Sequence, residues 1–275
     1  HYGQDGLFRY NSDDYNMYNL RAKGSIQLFP FLQVYDNTEF SSRDYHNPVN
    51  VGEGGGIWRN MADEAHPSSM LLNPDGTLTN SAAYTVGDLY YGKNGIDMTR
   101  QLFRNTAGFV ANLYKDKFRL KGDFTIQSTN DNQKRIRVPV AYSPAPGVVA
   151  YVGTGYNDLM MNSYNTIYLA SNLYGEYESR FGGDVHYFKA LAGFNYEQST
   201  YKGFSTTRNG LVYSDAKDIS LALGTNVSTS GGYDRWAIMG EFFRLNYSYK
   251  DRYLVEVDGR YDGSSKFPSN QRYAF

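Results

Sequence analysis

The run Phe118-Arg119-Leu120-Lys121-Gly122-Asp123-Phe124-Thr125-Ile126-Gln127 changes character at every step. In an extended chain successive side chains point to opposite sides. Phe118, Leu120, Gly122, Phe124 and Ile126 therefore share one mainly apolar face, and Arg119, Lys121, Asp123, Thr125 and Gln127 share a polar one. The same period appears where Tyr253, Val255, Val257, Gly259 and Tyr261 alternate with Leu254, Glu256, Asp258, Arg260 and Asp262. It appears again where Phe188, Ala190, Ala192, Phe194 and Tyr196 oppose Lys189, Leu191, Gly193, Asn195 and Glu197.

These runs belong to four predicted strand pairs, at about 15–27 with 31–43, 98–114 with 118–129, 163–179 with 185–200, and 236–249 with 253–262. Tight turns join the members of each pair, at Leu28-Phe29-Pro30, Lys115-Asp116-Lys117, Arg180-Phe181-Gly182-Gly183-Asp184 and Lys250-Asp251-Arg252. Long polar connections, about 44–97, 130–162 and 201–235, separate one pair from the next. Most runs exceed the roughly five or six residues of an average strand and match the roughly 9–11 tilted residues that cross a bilayer. Short turns on one rim and long loops on the other is the layout of an up-and-down membrane barrel. A Greek-key sandwich gives no reason for that segregation. A weak repeat agrees with it: Tyr114-Lys115-Asp116-Lys117-Phe118 returns as Tyr249-Lys250-Asp251-Arg252-Tyr253, a polar turn between aromatics suited to the headgroup level. The expected fold is all-β, a transmembrane antiparallel β-barrel sheet of about eight strands with short periplasmic turns and long extracellular loops.

Composition is consistent with this and excludes other classes. The 275 residues carry a formal charge of -1, without the basic excess that nucleic acid binding needs. Mean hydropathy is -0.58, and no apolar run approaches the roughly 18 residues of a membrane helix. Yet aromatics make up 16%, with 27 Tyr, 16 Phe and only 2 Trp. In a membrane barrel the polar lumen face masks the lipid face in any average. His1-Tyr2-Gly3-Gln4-Asp5 does not read as a secretory leader, so the chain is expected to be mature, truncated or an excerpt of something longer.

The stretch Glu241-Phe242-Phe243-Arg244-Leu245-Asn246-Tyr247-Ser248-Tyr249-Lys250-Asp251-Arg252-Tyr253-Leu254 leads into Gly259-Arg260-Tyr261-Asp262-Gly263-Ser264-Ser265-Lys266-Phe267 and then Asn270-Gln271-Arg272. This resembles the SusC/RagA family of TonB-dependent outer-membrane transporters of Bacteroidetes. Arg260, Asp262, Gly263, Ser264, Ser265 and Phe267 carry the motif. Tyr18-Asn19-Leu20-Arg21-Ala22 and Leu191-Ala192-Gly193-Phe194-Asn195-Tyr196-Glu197 resemble the family less specifically. The resemblance implies a 22-stranded barrel in the outer membrane, filled by an N-terminal plug and energised by the TonB-ExbB-ExbD complex. It also implies a SusD-like surface lipoprotein as a lid, and import of oligosaccharides or peptides. The chain departs from that pattern: about eight strands are read, and no plug, TonB-contact segment or closing C-terminal strand, so residues 1–275 are expected to form one partial barrel domain, a segment from the middle of the transmembrane antiparallel β-barrel. An open sheet left alone in lipid exposes unpaired backbone groups at several kcal/mol each.

The chemistry-bearing residues point away from catalysis. His1, His46, His66 and His186 have no metal or triad spacing, and no Gly-x-Ser-x-Gly elbow occurs. No metal or cofactor is expected. Gly52-Glu53-Gly54-Gly55-Gly56 lacks the Lys-Ser/Thr of a phosphate loop, and Asn73-Pro74-Asp75-Gly76 has the residues of a β-turn. Arg119, Lys121, Asp123, Glu256, Asp258 and Arg260 are expected to face the lumen as a ladder of compensating charges. Sugars and peptides are held by aromatic rings among polar groups. Trp58, Arg59, Tyr84, Tyr90 and Tyr156 are the expected ligand contacts, with Tyr91, Tyr142, Tyr151 and Tyr233 as further aromatics in predicted loops. Two other readings stand beside the importer, a soluble carbohydrate-binding β-sandwich and a passive porin. The first would bury its aliphatic strand faces against a second sheet.

Overall fold

The computed structural model describes residues 1–4, 13–49, 68–114 and 117–275. In chain order its strands are β1 (Tyr2–Gln4), β2 (Asp14–Phe29), β3 (Leu32–Pro48), β4 (Gly95–Leu113), β5 (Phe118–Arg137), β6 (Val140–Ala145), β7 (Val148–Val152), β8 (Asp158–Phe181), β9 (His186–Asn209), β10 (Val227–Tyr249), β11 (Tyr253–Ser264) and β12 (Tyr273–Ala274). Two short helices, α1 (Asn80–Thr85) and α2 (Gly87–Tyr91), lie between β3 and β4. Ten strands form one sheet in the order β1-β2-β3-β4-β5-β8-β9-β10-β11-β12, and β6-β7 is a separate hairpin. Every pairing is antiparallel, and β5 joins β8 directly in the register Phe118 with Tyr177 and Arg137 with Asp158. The sheet is a meander built of eight long strands, as the alternation predicts.

The strands run further than predicted at the long-loop end. β5 continues to Arg137, β8 starts at Asp158, β9 continues to Asn209 and β10 starts at Val227. Tyr233 therefore stands on a strand and not in a loop, a correction to the sequence reading. The reason is physical. Beyond the apolar stretch both faces turn polar and the period-two signal fades, while backbone pairing goes on. Side chains there bond across strands, Asn165 Nδ2 to Asn130 Oδ1 at 2.5 Å and Ser163 Oγ to Asn132 Oδ1 at 2.9 Å.

The opposite rim holds the tight turns. Pro30 and Phe31 connect β2 to β3, and residues 182–185 connect β8 to β9, each slightly displaced from the predicted turn. Gly182, Gly183 and Asp184 take φ of 67°, 67° and 66°, a left-handed backbone that glycine adopts without a Cβ penalty. Lys250 and Asp251 take 52° and 51°, as the two central residues of a type I′ hairpin turn do.

Parity separates the two faces as the sequence predicts. What matters is what covers the apolar one. Phe124 is 50% exposed and Val257 51%, and Leu20, Ile26, Leu173 and Val255 are exposed as well. The cluster of buried hydrophobics lies elsewhere, at Leu78, Ala82, Ala83 and Val140 beside the helices and the β6-β7 hairpin. Among the described residues no second sheet packs on the strands, as a sandwich would require. Rings of one strand lie across glycines of the next: a Cβ on Gly122 would sit 2.7 Å from Phe109 Cε1, and one on Gly259 2.7 Å from Phe243 Cε1. Each ring thereby shields backbone that a side chain would otherwise cover.

The face assignment makes a ranked prediction. Val257→Arg is expected to destabilise the folded barrel by roughly 2–4 kcal/mol where its side chain meets the bilayer midplane. Glu256→Gln, on the polar face, is expected to be mild. A urea titration in lipid vesicles that ranks the two the other way would reverse the faces.

Candidate functional site

The polar face carries a transverse network. Arg119 bonds Glu178 at 3.1 Å and lies 3.5 Å from Glu176, which also receives Lys121 at 3.0 Å. Asn172 donates to Asp123 at 2.9 Å, Asn195 donates to Asn172 at 3.3 Å, and Arg260 Nη2 donates to Asn195 at 3.1 Å. Arg260 Nε then holds both Asp262 oxygens, at 2.7 and 2.8 Å. Arg244 lies between Asp258 at 3.4 Å and Glu256 at 3.9 Å. The structure thus joins Arg119, Lys121, Asp123, Glu256 and Asp258 to opposite charges or amides on neighbouring strands, and Arg260 to Asp262 on its own strand and to Asn195 two strands away.

Gly240 makes the longest reach possible. It stands in register between Asn195 on β9 and Asp262 on β11. A Cβ there would lie 2.2 Å from Asp262 Oδ1 and 2.8 Å from Arg260 Nη2. Only a residue without a side chain lets Arg260 cross β10.

The motif residues also gain local roles. A Cβ on Gly263 would meet the Tyr273 ring at 2.4 Å, and that ring stacks on Tyr261 at 5.7 Å. Ser265 Oγ accepts from Ala237 N at 2.8 Å, and Ser264 N donates to Arg272 O at 2.9 Å. Phe267 N donates to Ser264 O at 3.4 Å, and the chain then reverses into β12. Asp262 and Gly263 pair with β12 and therefore still belong to a strand.

At the long-loop end, the connections fold into a layer of their own. Thr79 Oγ1 caps α1 by accepting from Ala82 N at 3.2 Å, and Gly92 at φ 64° ends α2. Gly76 N donates to Asn73 O at 2.9 Å, closing the predicted β-turn. Asn94, 1% exposed, ties the layer to Val138, the residue just past β5: its Oδ1 accepts from Val138 N at 2.5 Å and its Nδ2 donates to Val138 O at 2.8 Å.

Tyr84 stands on α1 and Tyr90 and Tyr91 on α2, while Tyr142 and Tyr151 stand on β6 and β7. These segments therefore carry short elements where loops were predicted. Tyr90, Tyr142 and Tyr156 pack against the layer's core. Trp58, Arg59 and the Gly52–Gly56 run lie outside the described residues, as do Lys115 and Asp116 of the second turn.

The comparisons agree with this geometry. No family model matches the chain. TonB-dependent receptor P26 of Formosa agariphila is 26% identical over all of this chain and 27% of its own length. TonB-dependent receptor P3 of the same organism is 26% identical over 82% of this chain and 22% of its own. The chain thus spans about a quarter of the curated relatives it matches. Solved structures of the RagAB peptide transporter share the fold, with a TM-score of 0.71 at 16% identity over 95% of this chain and 29% of theirs. The RagAB peptide importer in the closed-closed state gives 0.73 at 15% identity with the same coverage. The chain is thus similar to TonB-dependent receptors over its whole length and shares the fold of the matching part of the RagAB transporter.

Above the apolar band of the sheet, an ionic row crosses three strands that the sequence leaves far apart. His46 Nδ1 lies 2.6 Å from Asp97 Oδ1, and Lys134 Nζ lies 2.6 Å from Asp97 Oδ2. The hydrogen bond from His46, then Lys134, holds the Asp97 carboxyl at about 2. The bond to Asp97 raises the His46 pKa above 6.5 against the opposing effect of burial. Register brings this row together across a sequence separation of 51 between His46 and Asp97, so no local spacing announces it.

Two predictions follow from these networks. Gly240→Val is expected to sever Arg260 from Asn195 and cost about 1–3 kcal/mol, as overpacking does, in a urea titration of the refolded barrel. An unchanged midpoint would remove Gly240 from that role. Second, the depressed Asp97 contributes stability fully above 3.8 and loses it as pH falls toward about 2. The raised His46 contributes fully below 6.5 and loses it as pH climbs through its folded value. The stability difference between the native chain and Asp97→Asn is therefore expected to peak between about pH 4 and 6.5 and shrink on both sides. A difference that stays flat with pH would contradict the pairing.

Proposed function

We propose that this chain forms part of the wall of an active outer-membrane importer for oligosaccharides or oligopeptides. In this reading the TonB-ExbB-ExbD complex supplies energy through a plug, and a SusD-like lipoprotein covers the extracellular mouth. The observation that carries the reading is one sheet with two solvents: an exposed apolar face with Phe124 and Val257, and behind it a charge-compensated polar face. Lipid suits the first and a water-filled lumen the second. The curated relatives are named TonB-dependent receptors and a structural neighbour is titled a peptide importer, which supports the reading.

In this reading Arg119, Lys121, Asp123, Glu256, Asp258 and Arg260 line the lumen. Glu256 and Asp258 both face Arg244, so they read as structural charges and not as a catalytic pair. Ligand contact falls to the loop layer. Tyr84, Tyr90 and Tyr156, with Trp58 and Arg59, are the proposed contacts, Tyr90 and Tyr156 through the part of each ring not packed on the layer's core. Among the described residues β1 covers only three residues of β2 and β12 only two of β11; the rest of each edge calls for further strands, because unpaired backbone groups in hydrocarbon cost several kcal/mol each.

The test is uptake of labelled oligosaccharides and oligopeptides by cells that carry the full-length protein. Uptake of at least one class is expected, and a protonophore is expected to abolish it. Uptake that survives the protonophore would make the barrel a passive porin. A protein that stays monomeric in water without detergent would return the sandwich.

A further inference from the structure

Near the long-loop end of the polar face, two guanidinium groups share one carboxylate. Arg137 stands opposite Asp158 in the β5-β8 register and grips it with two hydrogen bonds, Nε to Oδ1 at 3.1 Å and Nη2 to Oδ2 at 2.6 Å. The Tyr156 ring backs Arg137, with the guanidinium carbon 4.2 Å from its centroid. Because Tyr156 also packs on the core of the loop layer, that layer sits on the polar side of the wall, directly above these arginines. Arg137 is thus fully engaged.

Arg135 is not. It lies two residues along β5 on the same face, and its Nη2 reaches the already occupied Asp158 only at 3.7 Å. Its Nε is buried and has no hydrogen-bond partner among the described residues. Its register neighbours are Ile96 on β4 and Met160 on β8, neither of which accepts a hydrogen bond through an oxygen of its side chain. Burial first, and the adjacent Arg137 charge second, work against its protonated form. Further along the face the next row is neutral: Asn162 donates to Gln133 at 2.9 Å, and Ser205 donates to Asn162 at 2.5 Å.

A guanidinium presents a planar fork of donors that matches a carboxylate. The Arg135 charge is weakly paired, because the carboxylate beside it is already held by Arg137, and an incoming anion would compensate it. A quarter of the Arg135 side chain remains open to solvent. We propose that Arg135, supported by the Arg137–Asp158 pair and Tyr156, is a recognition site for a carboxylate on the transported oligomer, so that the cargo is acidic. This rests on the importer reading and narrows its substrate class. Two sources carry that group, the acidic side chains or C-terminus of a peptide and the uronic acid units of an oligosaccharide.

The test measures binding to the full-length protein in detergent, apart from any energised uptake. Two ligand pairs are compared by calorimetry: an Asp/Glu-rich oligopeptide against its Asn/Gln amidated counterpart, and a glucuronic-acid oligomer against its glucose counterpart. One acidic member is expected to bind at least tenfold tighter than its neutral partner, and the pair in which this happens identifies the source. Arg135→Gln is expected to erase that preference, bringing the acidic member's affinity down to that of its neutral partner, and Arg135→Lys to keep part of it. Heat-modifiable migration on gels checks that each variant is folded. A preference for acid that survives Arg135→Gln, or no preference in either pair, would overturn the proposal. Uptake that continues in either of those cases leaves the importer reading intact, whereas loss of protonophore-sensitive uptake for both ligand classes would sink that reading instead.

Discussion

A backbone amide in hydrocarbon has no water to bond, and the cost of leaving it unpaired is several kcal/mol. That requirement organises this sheet. It explains why β3, β4, β5, β8 and β9 pair along nearly their full length with the strands on both sides, as β9 does through 24 residues with β8 and 23 with β10. It also explains why the connectivity is a meander. A hairpin turn returns the chain at once to the strand it has just left, so no strand waits for a distant partner. Where β5 does skip to β8, the excursion occurs at the long-loop end, outside the apolar band, and the diverted residues pair with each other as β6 and β7.

With the backbone satisfied, side-chain parity decides the rest. One residue of slip would carry Val255 and Val257 to the charged side and Glu256 and Asp258 into lipid. Register is therefore held firmly, and three features hold it: left-handed turns at 182–184 and 250–251, rings seated over glycines, and cross-strand pairs such as Lys121 with Glu176. Each pair alone contributes little in a wet environment. Their value lies in being correct in only one register. The glycine at 240 extends the same logic across a strand, because it lets Arg260 on β11 answer Asn195 on β9.

Much of this was legible in the sequence wherever a strand separates an apolar from a polar solvent. The faces at 118–127, 188–197 and 253–262 are written in period two, and the structure keeps all three. The reading failed where that contrast ends. From Asn130 to Arg137 both faces are polar, so the alternation that marks a strand is missing although the strand continues. The aromatics at 84, 90, 142 and 151 were read as loop residues because short helices and a five- or six-residue hairpin leave little periodic trace. Arg135, Arg137 and Asp158 fell in the same blind region: their association depends on register between strands, and a single sequence shows residue spacing along one strand only.

The pairing requirement reaches the side chains of the apolar face as well. Asp36, Thr38 and Asn105 share parity with Val34, Phe40 and Phe109, on the side that is otherwise apolar. Polar atoms at that depth are expensive unless they satisfy one another. Here they form a closed set: Asn105 Nδ2 donates to Asp36 at 2.7 Å and to Thr38 at 2.8 Å, and Thr38 Oγ1 donates to Asp36 at 2.8 Å. Three polar residues on two neighbouring strands meet only because the register is fixed, which is the condition the backbone already imposes. The sheet therefore tolerates polarity on its apolar side to the extent that backbone pairing delivers a partner to each group.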